Sequence, residues 1–276
     1  MSGTSDRTVE LAAGRRAADA RVERLARQLR ERSFAVWPAL YDGEAVARLR
    51  AALERVHREA GAPAPYGEGV TWLGPGLELS ATGLVIHGLL GRAPSLARGS
   101  LPADAVTIVR GALGEGMHLE AVGGVISDHR RRFFEWHMHV GGIDDEAYRR
   151  RGWRPTFDAP QRVAMIVYLD EMRADTGQLL IKPRAPADPL EPPFPISARR
   201  WEGQVAVEGP AGTAVWMEQS TWHAVLPRAP SDTLRMFVGF WFAAAHATVA
   251  ERVDASLGAL ESPDDVLRAV LPGRAR

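Results

Sequence analysis

The second half of the chain is divided into short apolar or alternating runs that are separated by turn-forming residues such as glycine, proline and aspartate. Many short runs at this spacing are typical of the strands of a β-sandwich or barrel. We therefore predict a mostly β protein with flanking helices. The predicted strands cover residues 116–127, 163–169, 178–181, 204–207, 213–217 and 235–243.

Two histidines, His137 and His139, lie two positions apart in one apolar stretch. Successive side chains on a strand point to opposite faces, so both imidazoles can approach one ion from the same side. His223 completes a set of three if the chain folds back beside this pair. A double-stranded β-helix (jelly-roll, cupin-like) core is the economical fold that does so, and we predict a mononuclear metal site there. The other histidines have no comparable context and are read as structural or surface residues: His57, His87, His118, His129 and His246.

The composition limits the metal ligands that the chain can offer and the partners that it can attract. The 276 residues include no cysteine, which leaves imidazole and carboxylate as metal-binding side chains and favours iron, manganese or copper. Acidic and basic residues are equal in number at 34 each, so no bulk charge attracts nucleic acid. No apolar stretch approaches the roughly 20 residues that span a bilayer, and the N-terminus has no signal-peptide core. We expect a cytoplasmic protein.

The chain reads as one domain behind a polar N-terminal tail, residues 1–16. Helical spacing of apolar residues predicts helices over 17–32 and 44–60, the second with an N-cap at Asp42, and Phe34–Pro38 reads as a strand between them. Residues 61–116 give mixed signals, with a loop at 61–76 that could cover a pocket. The single domain, 17–276, thus has a helical part at 17–60, a jelly-roll core at about 105–245 and a C-terminal helix at about 262–271, capped near Ser262.

Several segments, taken together, resemble the phytanoyl-CoA dioxygenase-like family of iron(II)- and 2-oxoglutarate-dependent oxygenases. The resemblance covers nearly the whole chain after residue 30. It implies that His223 is the distal metal ligand and that Arg235, twelve positions later, grips the far carboxylate of 2-oxoglutarate. The segments are residues 32–40 with the helix at 45–53, 168–171 with 176–179, and 212–216 leading to 221–224.

The predicted metal site departs from that family at one of its ligand positions. Its members usually write the first two ligands as His-x-Asp, whereas His139 occupies the carboxylate position here. Three imidazoles leave an iron(II) site at +2 rather than +1, so an anion must come from 2-oxoglutarate or from a chelating substrate. A different carboxylate could instead complete the site. Glu135 shares strand parity with the pair, and Asp144 and Asp145 lie just beyond it.

Two basic side chains are candidates to bind a carboxylate. Arg235 begins an apolar strand, where burial would demand an anionic partner, either a bound carboxylate or an acid such as Asp232 or Glu218. Lys182 is the reserve anchor, although a lysine at a strand end often reaches solvent.

Aromatic and arginine-rich stretches flank these candidates. Trp136, Trp216 and Trp222 adjoin the histidines and could exclude water or stack on a substrate, although such residues more often form core. The runs Arg130–Arg132 and Arg149–Arg151 read as solvated faces.

These features predict a non-heme iron(II) oxygenase that uses O2 as co-substrate, is expected to require 2-oxoglutarate, and hydroxylates, desaturates or cyclises a small organic molecule. One alternative is a three-histidine dioxygenase that acts directly on a chelating substrate without 2-oxoglutarate. The other is a catalytically altered small-molecule binding protein of the same fold. We expect neither a nucleic-acid nor a membrane partner, and a homodimer is one assembly that the chain could form.

Overall fold

The computed structural model describes residues 3–139, 159–248, 250 and 253–273. Within them the strands form two antiparallel sheets, so the prediction of a mostly β fold with flanking helices is confirmed. The strands are β1 Phe34–Trp37, β2 Thr71–Gly74, β3 Leu77–Ser80, β4 Gly83–Ile86, β5 His118–Ser127, β6 Phe134–His137, β7 Arg162–Tyr168, β8 Leu179–Ile181, β9 Val205–Ala206, β10 Ala214–Glu218, β11 His223–Val225 and β12 Arg235–Ala243.

The larger sheet has the order β1-β10-β7-β12-β5-β4-β3-β2, and the smaller sheet has the order β6-β11-β8-β9. Strand β12 lies at the centre of the larger sheet because it pairs with both β5 and β7 along its length. Strands that are distant in sequence are therefore neighbours in both sheets, as the predicted jelly-roll core requires.

Helices cover the outer face of the larger sheet. Helix α2 begins at an N-cap, Asp42, whose carboxylate accepts a hydrogen bond from the Ala45 amide at 2.8 Å, and it buries Leu49, Leu53 and Val56 at helical spacing. These side chains join alternate residues of the sheet in the largest apolar cluster. The helices are α1 Gly3–Arg32, α2 Gly43–Glu59, α3 Leu89–Arg92, α4 Ala103–Leu113 and α5 Asp265–Arg268.

A second apolar cluster fills the space between the two sheets. It includes Tyr168 of β7 from the larger sheet and Ile181 of β8 from the smaller one, with Phe237 of β12 and Val225 of β11 packed against it. Residues two positions away on the same strands face the same space. We call this space the interior, and it is where the candidate site lies.

Three predictions of element placement need correction. Helix α1 begins at Gly3, so residues 3–16 of the predicted tail belong to the first helix. Residues 61–116, for which no elements were predicted, contain β2, β3, β4 and α4, and the first three extend the sheet beyond the expected 105–245. Helix α5 is one turn long, and its N-cap is Asp264 rather than Ser262. Among the described helices, none is both long and apolar enough to cross a membrane.

Candidate metal centre

Strand pairing brings the predicted histidines together. His223 of β11 is the ladder partner of His137 of β6 on one side and of Ile181 of β8 on the other. Ile181 belongs to the interior cluster, whereas Ala224, the next residue after His223, packs in the cluster on the outer face of the smaller sheet. The His223 imidazole therefore faces the interior.

The three imidazoles form one compact group. One ring nitrogen from each of His137, His139 and His223 lies within 4.8 Å of the others, and within the described part of the chain only these residues form such a group. The ring centroids are 4.1 Å apart for His137 and His223, 5.0 Å for His137 and His139, and 5.2 Å for His139 and His223. This geometry could hold a single metal ion by three nitrogen ligands.

Two of the histidines are oriented by the backbone in the same way. Nδ1 of His137 is 2.7 Å from the carbonyl oxygen of Glu135, and Nδ1 of His223 is 2.9 Å from that of Thr221. A carbonyl oxygen only accepts, so each Nδ1 carries the proton and donates it. In both rings Nε2 is then the unprotonated nitrogen, which is the form that binds a metal.

The surroundings keep the imidazoles neutral. Burial lowers the pKa of His223 to about 3, and the His139 charge acts in the same direction. Burial also lowers the pKa of His137 well below its usual value, with further lowering by His223 and His139. Neutral rings with free lone pairs at neutral pH are prepared for a cation rather than for a proton.

His139 differs from the other two in its position. It lies two residues beyond the end of β6, and its amide donates to the Gln219 carbonyl at 2.7 Å, which holds it beside the segment that leads into β11. Its side chain is exposed at the surface of the group, yet enough protein surrounds the ring that burial lowers the pKa of His139. Its pairing with Gln219 brings His139 to the group although it lies outside the strand.

The alternative carboxylate ligands are Glu135, Asp144 and Asp145, and only Glu135 lies among the described residues. Glu135 is exposed on β6 and is not part of the histidine group, and its backbone carbonyl rather than its side chain contacts His137. Asp144 and Asp145 lie outside the described residues.

Arg235 lies buried at the head of β12 and faces the interior. Its guanidinium carbon is 4.8 Å from the ring centroid of Tyr168 and 6.0 Å from that of Phe237. Nη2 is buried without a hydrogen-bond partner, and no described carboxylate pairs with Arg235; Glu218 pairs with Arg184 instead. Asp232 forms no ion pair with Arg235 either in the described part of the chain. A buried, incompletely bonded guanidinium is suited to an anion.

Two other basic residues are placed differently from expectation. Lys182 donates to the Glu202 carbonyl at 2.6 Å and is half-buried there, so its ammonium already has a partner away from the histidines. Arg131, expected on a solvated face, is only 3% exposed. The prediction for the run Arg130–Arg132 was therefore wrong for its central residue, and Arg149–Arg151 lie outside the described residues.

The tryptophans that flank the histidines pack in apolar clusters and do not line the site. Trp136 stacks on Trp201 at 4.2 Å, and its indole N–H donates to the Ala198 carbonyl. Trp222 likewise donates to the Leu190 carbonyl, which ties residues 185–204 to the outer face of the smaller sheet. Trp216 belongs to the cluster beneath the helices. None of these three faces the interior with the histidines.

Another tryptophan does lie on the interior face. Trp241 has the same strand parity as Arg235 and is half-buried, and its ring lies over Gly239 and Gly123. A Cβ on Gly239 would come within 2.3 Å of this ring, so the two glycines leave the space that it occupies. Alternation along β12 from Arg235 was the sequence signal for Trp241, whereas no local signal marked Arg131.

The chain was compared with known proteins, and its similarity to solved structures agrees with the predicted fold. The chain matches no protein-family model and no curated protein. Among solved structures, the non-heme α-ketoglutarate-dependent epimerase SnoN from nogalamycin biosynthesis is similar, with a TM-score of 0.58 and 16% identity over 94% of this chain and 92% of that one. The carbocyclase SnoK from the same biosynthesis has a TM-score of 0.56 and 18% identity over 87% and 91%.

A third similar structure is HygX from Streptomyces hygroscopicus with nickel, 2-oxoglutarate and hygromycin B bound. Its TM-score is 0.56, with 15% identity over 87% of this chain and 94% of that one. The predicted jelly-roll fold is thus shared, over nearly the full length of both chains, with structures described as α-ketoglutarate-dependent or solved with 2-oxoglutarate.

Proposed function

We propose that this protein is a non-heme iron(II) oxygenase that uses 2-oxoglutarate and O2 to oxidise a small organic molecule. His137, His139 and His223 would hold the metal, and Arg235 would hold the far carboxylate of the oxoacid. The similar structures support this assignment because they include a non-heme α-ketoglutarate-dependent epimerase and a protein solved with nickel and 2-oxoglutarate bound, both on the same fold. We also propose a distant relationship to the phytanoyl-CoA dioxygenase-like family, and a cytoplasmic location and a homodimer stay predictions.

The donor set fits iron(II). The three neutral imidazoles have ring nitrogens within 4.8 Å of one another, and imidazole is a ligand that suits iron. Three protein ligands would leave further coordination positions open. When bound, iron(II) would supply O2 activation coupled to decarboxylation of the oxoacid. Zinc or copper also bind imidazole, so activity after reconstitution is better evidence for iron than the metal that copurifies.

The observation on which the proposal depends is that Arg235 and the histidine group face one interior. Nη2 of Arg235 is buried without a partner, and no described acid neutralises it. A 2-oxoacid held at the histidines by its oxoacid end would leave its second carboxylate for a cation elsewhere in the same interior. Arg235 would give this carboxylate a charge-assisted hydrogen bond.

Neighbouring side chains would orient Arg235 and exclude water from it. Tyr168 and Phe237 place aromatic rings beside the guanidinium. Burial raises the pKa of Tyr168, against the opposing charges of Arg235 and Arg131, so its hydroxyl keeps its proton and can donate. The interior thus combines an aromatic wall, a cation and a hydroxyl donor, all of which suit a carboxylate.

Anaerobic calorimetry on the iron(II)-loaded protein tests the proposal. Wild type should bind 2-oxoglutarate, and Arg235→Ala should weaken this binding by about 100-fold or more while it leaves iron affinity within a few-fold. Arg173→Ala is the matched control, because Arg173 is exposed and pairs with the surface acids Glu171 and Asp175. Equal binding by wild type and Arg235→Ala, or no binding by either, would contradict the proposal.

A three-histidine dioxygenase without an oxoacid is the second candidate. His139 in place of a carboxylate favours it, because the +2 charge of the site suits an anionic chelating substrate. Failure of wild type to bind 2-oxoglutarate, with iron bound at one equivalent, would select this candidate. Loss of both metal and oxoacid binding would select a binding protein with an altered site.

A further inference from the structure

Arg131 lies beside the head of β12 although it belongs to a different part of the chain. Ser127, the last residue of β5, is the ladder partner of Arg235. The chain then turns, and the Arg131 amide donates to the Asp128 carbonyl at 3.3 Å. This turn carries Arg131 back across the end of the sheet, where its side chain is buried.

The guanidinium of Arg131 is fixed by backbone groups of the smaller sheet. Nη2 donates to the Leu226 carbonyl at 2.9 Å and Nη1 to the Val225 carbonyl at 3.4 Å, both at the end of β11. Gly177 makes room for it, because a Cβ at that position would lie 2.8 Å from Nη2. Arg131 therefore spans the two sheets at the end of the interior where Arg235 lies.

The two buried guanidiniums have no described counterion. Asp128, the nearest acid in sequence, pairs with Arg130 instead, and Glu218 pairs with Arg184. Burial and the charge of Arg235 lower the pKa of Arg131 to about 9, so Arg131 is still cationic at neutral pH. Two buried like charges are costly unless an anion lies between or beside them.

We propose that Arg131 supplies the second positive charge of the anion site headed by Arg235, so that the far carboxylate of the oxoacid binds against two guanidiniums. Arg235, with its unpartnered Nη2, would give the hydrogen bond, and Arg131, whose donors serve backbone carbonyls, would act through charge. This inference rests on the proposed function, because the oxoacid is the anion in question. Arg131 is thus a positioning residue for the cofactor.

Anaerobic calorimetry with two oxoacids separates a charge effect from a structural one. Pyruvate has the same metal-binding head as 2-oxoglutarate but no far carboxylate. Arg131→Met removes the charge and should weaken 2-oxoglutarate binding by at least about 10-fold, while pyruvate and iron(II) binding change little. Arg131→Lys should restore most of the affinity. Arg130→Met is the control, since Arg130 is partly exposed and pairs with Asp128.

A second uncharged variant guards against a folding defect. Arg131→Gln keeps a donor for the Leu226 carbonyl and should show the same selective loss as Arg131→Met. Two outcomes would overturn the role of Arg131 while leaving the proposed function intact. Either variant could lose affinity for pyruvate or iron(II) as much as for 2-oxoglutarate, or both variants could bind 2-oxoglutarate as wild type does. If wild type binds no 2-oxoglutarate, the proposed function fails and this inference fails with it.

Discussion

His223 is the direct antiparallel partner of His137, although β11 and β6 lie far apart in sequence. The two rings are 4.1 Å apart between centroids, and each donates its Nδ1–H to the carbonyl two residues before it. The pair exists only when the smaller sheet has formed. A metal bound there would therefore link two distant strands, and metal affinity would add to the stability of the fold.

Removal of one proposed metal ligand should abolish metal-dependent stabilisation. At iron(II) concentrations of 100 times Kd, wild type should gain about 2.7 kcal/mol in the free energy of unfolding. His223→Ala should lose this gain, as should His137→Ala. Anaerobic thermal unfolding with and without iron(II), followed by chelation, measures it.

The matched control is His246→Ala, because His246 is exposed and lies outside the histidine group. It should keep the full gain. Retention of the gain in His223→Ala would rule out the three-histidine assignment.

Exchange of His139 for aspartate should change the chemistry while keeping the metal. The aspartate adds one negative charge within coordination distance of the ion, where charge interactions are several-fold stronger than in water. His139→Asp should bind iron(II) as wild type does, bind an anionic chelating substrate less well, and turn over 2-oxoglutarate faster without product. Succinate release and substrate affinity, measured on the same preparation, test this.

His139→Ala is the comparison for this exchange, since it removes the proposed ligand without adding charge. Unaltered product formation in both variants would mean that position 139 is a spectator. Glu135, Asp144 and Asp145 would then be the carboxylates to test in the same assay.

Loss of the Trp136 ring should lower stability by about 3–5 kcal/mol, as for other buried aromatic residues. Trp136 stacks on Trp201, is 1% exposed, and bonds the Ala198 carbonyl through its indole N–H. Urea unfolding of Trp136→Ala measures the loss, and Trp72→Ala on the exposed edge strand should change stability by less than about 0.5 kcal/mol. A metal-binding defect in Trp136→Ala without lower stability would contradict its structural role.

Glu218 should make stability depend on pH. Burial raises its pKa from 4.5 to about 7, against the Ser220 hydrogen bonds and the Arg184 charge 3.5 Å away. The pKa of Glu218 is higher in the folded than in the unfolded state, so its protonated carboxyl contributes to the free energy of unfolding. This contribution is complete below pH 4.5 and is lost as the pH rises through 7. Glu218→Gln should flatten this part of the stability curve.

Urea unfolding of wild type and Glu218→Gln between pH 5 and 8 checks the sign. Glu171→Gln is the control, because Glu171 is exposed. If wild type and Glu218→Gln show the same slope with pH, Glu218 is ionised throughout and Arg184 neutralises it fully.

Local patterns predicted much of the scaffold. Strand β12 was predicted with its observed bounds, Arg235–Ala243. One of its faces packs under helices and the other faces the interior, and a strand covered on both faces reads as a continuous apolar run. Helix α2 and its cap at Asp42 also agree with the prediction. Strands β2–β4 were missed because frequent glycines and turns interrupt any periodicity over residues 71–86.

The sequence by itself determined the fold class and marked His137 and His139 as a pair, because the spacing of apolar runs and of neighbouring residues is a local property. The pairing of β11 with β6, which puts His223 beside them, was decided by the tertiary structure. Only the tertiary structure decided which charges are buried. Arg131 reads as one of three adjacent surface arginines, yet it is enclosed by β11 and Gly177, whereas Lys182 is tied to Glu202. Burial of a charge depends on which distant groups close around it, and no local pattern records them.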